Sequence, residues 1–78
     1  MKYDITDNYY FWDELAKCLN NGYSLLARRN KLLLLLDELN KADSKNLENK
    51  KFFIVIVKNY LERYDAKIQL SETLHGQR

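Results

Sequence analysis

The chain has 78 residues, a formal net charge of +2, and is 46% apolar and 31% charged. Those fractions describe a folded chain rather than a disordered tail, and the length allows one domain. A charge this small does not by itself imply a polyanionic partner. With Cys18 as the single cysteine there is no internal disulfide, and the amino terminus, MKYDITDNYYFW, lacks the apolar core of a signal peptide. No apolar run approaches the ~20 residues that cross a bilayer, so a cytoplasmic protein without membrane insertion is expected. There is no proline, and Gly22 and Gly76 are the two glycines, which favours long helices with few turns.

The first helix is expected over about 7–20, capped by Thr6 or Asp7, with Asp13 and Glu14 early in it. Trp12, Leu15, Ala16 and Leu19 follow helical spacing and define its expected buried stripe, with Tyr9 beside Trp12. Tyr10 and Phe11 then point elsewhere. The sequence NNG at 20–22 is a stop signal, Gly22 being available for a left-handed cap.

The second helix is expected over about 23–41. Leu25, Leu32, Leu36 and Leu39 form its stripe and Leu26 and Leu33 widen it, leaving Leu34 and Leu35 outside. NKADSKN follows as a connection, with Asp43 or Ser44 capping the next element.

The third element carries FFIVIV at 52–57, a β-branched and aromatic composition that suits a strand. Leu47, Ile54, Leu61 and Ile68 nevertheless recur every seven residues, and a lone strand has no partner elsewhere in the chain. A helix over about 44–74 is therefore expected, with His75 near its negative end and Gly76 closing it. The fold class is all-α: one domain over 1–78, a three-helix bundle with a long third helix, either alone or as a helical homodimer.

Leu32–Leu36 and Phe52–Val57 are apolar around the whole helix circumference, because successive residues are about 100° apart. Three helices cannot enclose two of their own number, so apolar surface is left for a partner protein or a second copy. The competing account is an efficient core wrapped by the first helix and the aromatics at 9–12. On the interface reading, Tyr10, Phe11, Leu34, Leu35, Phe52 and Val55 are the contact residues.

No catalytic set can be assembled. His75 is the single histidine and lies near the end, Cys18 reads as a small core hydrophobe, and Asp13–Glu14 and Asp37–Glu38 are adjacent pairs that diverge around a helix. No zinc or calcium spacing and no glycine-rich phosphate loop occurs, so no metal, cofactor or enzyme activity is expected. The expected function is protein–protein interaction: a small regulator or inhibitor that occludes a partner surface, of the kind phage and other mobile elements encode as antiholins, anti-defence proteins, antitoxins or immunity proteins. The alternative is a small basic nucleic-acid-binding or transcriptional accessory protein using Arg28, Arg29, Lys31, Lys50 and Lys51, whose affinity would fall steeply with salt.

Overall fold

A computed structural model describes residues 4–43 and 46–76, with side chains as far as Ser71. It is all-helical: α1 spans Asn8–Cys18, α2 Leu25–Lys41 and α3 Leu47–Gly76, with no strand among the described residues. The segment 52–57 is therefore helical, as its heptad context implies.

Each helix begins on a side-chain cap. Asp7 accepts from the Tyr10 amide, Ser24 from the Ala27 amide and Asn46 from the Asn49 amide. The cap of α3 is thus Asn46 rather than Asp43, and Ser44 lies outside the described residues. A further turn precedes α1: the Thr6 amide and hydroxyl both donate to Asp4 Oδ1 at 2.9 and 2.7 Å, and the Asp7 amide donates to the Asp4 carbonyl. The Asn49 side chain donates from Nδ2 to the Thr6 carbonyl at 3.1 Å, which ties this turn to the start of α3.

The end of α1 differs from expectation. The helix stops at Cys18, and no described residue, Gly22 included, has positive φ. Instead Asn20 closes the turn by accepting the Gly22 amide on its side chain at 2.8 Å, so the left-handed glycine is not needed.

The helices pack up–down–up. Arg29 on α2 pairs with Asp65 on α3 at one end of the hairpin, and Lys50 on α3 donates to the Asn40 and Ala42 carbonyls at the other, which fixes an antiparallel register. The 30 residues of α3 make about 45 Å of helix, so its last turns run beyond α2 and set the longest extent of 52 Å. Leu70, on this projecting part, is exposed.

The core comprises Ile5, Phe11, Leu15, Cys18, Leu32, Leu35, Leu39, Phe53, Val57, Leu61 and Tyr64, with Thr6 as its one buried polar residue among those described. Two expectations change. On α1 the expected stripe was Trp12, Leu15, Ala16 and Leu19; Leu15 is buried as expected, but Phe11 and Cys18 accompany it in place of Trp12, Ala16 and Leu19, because the Asp7 cap and the Asp4–Thr6 turn direct Phe11 at Phe53. On α2 the stripe is Leu32–Leu35–Leu39, because α1 packs on the flank that Leu35 occupies. Phe11 and Leu35, expected as interface residues, are core residues.

Candidate docking surfaces

A three-helix bundle has three outer grooves, and each carries different chemistry here. Between α1 and α2 lies a cleft of about 310 Å³, lined by Glu14, Lys17 and Cys18 on α1 and by Lys31, Leu34, Leu35 and Glu38 on α2. Its two lysines are internally engaged. Lys17 reaches Asp13 at 3.2 Å and Glu14 at 3.4 Å, and the Lys31 ammonium sits 4.4 Å from the Tyr23 ring centre. Burial pushes the Cys18 thiol up, Glu14 adds to that shift and Lys31 opposes it. The thiol is therefore held protonated at neutral pH and is a poor nucleophile. Leu34 stands at the cleft's rim, exposed, and Tyr10 is half-buried.

Between α1 and α3 lies an aromatic cluster. Phe11 stacks on Phe53 with centroids 3.8 Å apart and ring planes within 5°. Trp12 packs edge-on against both, at 5.1 Å from Phe11 and 5.9 Å from Phe53, and Phe52 lies tilted 6.0 Å from Phe53. The two inner rings are enclosed, at 0% and 1% exposure, whereas Trp12 and Phe52 are 45% and 58% exposed. The outer rings are thus held on a rigid base and presented to solvent. Val55, three residues along α3 from Phe52, and Tyr9, three residues before Trp12 on α1, extend this apolar surface. Trp12 and Tyr9 were expected to fold inward. Their exposure follows from the rotation of α1, which the sequence leaves open between the apolar stripes through Phe11 and through Trp12.

Between α2 and α3, on the side that α1 leaves open, Leu26 and Leu33 are exposed on α2 and Leu47 on α3, with Ile54 and Ile68 half-buried. The partly exposed Arg29–Asp65 pair spans this groove.

The basic residues are dispersed rather than aligned. The Arg28 guanidinium donates from Nε to the Asn20 and Tyr23 carbonyls at 3.1 and 3.0 Å and from Nη2 to the Asn21 carbonyl at 3.2 Å, and lies over the Tyr64 ring. Arg29 is on Asp65, Lys31 on Tyr23 and Lys50 on the carbonyls that end α2. Lys51 is exposed. Four of the five residues expected on a phosphate-binding face are therefore engaged within the fold, at different places. Asp37–Lys41 forms the expected helical pair at 2.9 Å, whereas Lys58 and Glu62 do not pair.

Among the described residues no cluster of metal-ligating side chains occurs, and no helix is long and apolar enough to cross a membrane. The side chain of His75 lies outside the described residues. Compared with known proteins, the chain matches no family model, no curated protein and no solved structure.

Proposed function

We propose that the protein is a protein–protein interaction module, a regulator or inhibitor that covers a partner's working surface with the face built by Trp12, Phe52 and Val55. The observation that carries this reading is the pair of half-exposed rings, Trp12 and Phe52, seated on the buried Phe11–Phe53 stack. Aromatic anchors of this kind bring large contact area at low entropic cost, and a base that is already rigid loses little freedom on binding. The engagement of Arg28, Arg29, Lys31 and Lys50 within the fold supports the same reading over phosphate binding, because those cations have intramolecular work.

Cross-linked affinity capture from the native host, followed by purified-component titration, tests the reading. The expected result is a protein partner whose affinity drops at least tenfold with Trp12→Ala plus Phe52→Ala and changes little with Lys51→Ala or moderate salt. Recovery of nucleic acid, with affinity falling steeply as salt rises, overturns it.

A further inference from the structure

We draw no further inference here: the strongest candidate, the open cleft between α1 and α2, is lined by two lysines and two carboxylates that leave no net charge to select a ligand, and nothing in the structure shows what covers it.

Discussion

Phe11 and Phe53 stack face to face at 3.8 Å, both fully enclosed, and this contact joins the shortest helix to the longest. It fixes the rotation of α1, places Cys18 at the wall of the α1–α2 cleft, and leaves Trp12 and Phe52 as the outer rings. The same contact therefore anchors the core and presents the proposed docking face.

Its removal is expected to cost heavily. Phe11→Ala or Phe53→Ala should destabilise by about 3–5 kcal/mol, since each deletes a large buried side chain and leaves a cavity. A domain of this size holds only about 4–12 kcal/mol in total. Urea unfolding followed by circular dichroism should show either variant largely unfolded or with a sharply lowered midpoint. Trp12→Ala should lose less than half as much. Equal losses would mean that Trp12, not Phe11, is the core residue.

Val55 and Val57 give a sharp test of the conformation of FFIVIV. In a strand, residues two apart share a face; in a helix they lie about 200° apart. Val55 is 55% exposed and Val57 fully buried. Val57→Ala is expected to cost about 2–3 kcal/mol, whereas Val55→Ala should be neutral or stabilise by about 0.5 kcal/mol through higher helix propensity. Parallel losses at both positions would contradict the helix.

Much of the fold was legible in the sequence, and the reason lies in particular residues. The heptad Leu47–Ile54–Leu61–Ile68 outweighed the strand-like composition of 52–57, because periodicity reports the whole helix and propensity only a local preference. The rotation of α1 was not legible: the stripes through Phe11 (Leu15, Cys18) and through Trp12 (Leu15, Ala16, Leu19) are both apolar, and the choice between them is made by the Asp4–Thr6 turn and by Phe53, 42 residues from Phe11. Leu35 was misassigned for a related reason. A run apolar on all sides carries no record of which side its neighbours take. The outward series Leu26–Leu33 was visible as a repeat, yet it was read as a wider core because the sequence does not show that α1 covers the other flank. Nor does a basic side chain announce that its partners are backbone carbonyls, as those of Arg28 are.

Arg28 is accordingly expected to matter for stability. Its guanidinium satisfies three carbonyls in the α1–α2 connection, a planar fork that an ammonium cannot reproduce. Arg28→Ala should cost about 1–2 kcal/mol, reduced from the buried case because these bonds are solvent-exposed, and Arg28→Lys should recover less than half of it. Amide exchange at the Gly22 and Tyr23 amides should accelerate in both variants. Full rescue by lysine would assign the effect to charge alone.

Cys18 makes stability depend on pH in the alkaline range. Burial is the main cause that raises its thiol above the ordinary value of 9.0, with Glu14 adding and Lys31 opposing. The folded state therefore holds the proton more tightly than the unfolded chain. Above the unfolded thiol's pKa the unfolded state releases its proton first, so this contribution is fully present below that value and is lost as pH rises through the folded one. Other groups also titrate there, so the informative quantity is the difference between the wild type and Cys18→Ala. That difference should be constant from pH 6 to about 8 and should shrink above about 9. Thiol alkylation at pH 8 should likewise be slow in the folded protein and should speed up at least tenfold in urea. Native alkylation at the unfolded rate would place the sulfur in solvent, and with it would go the packing of α1 on α2 described above.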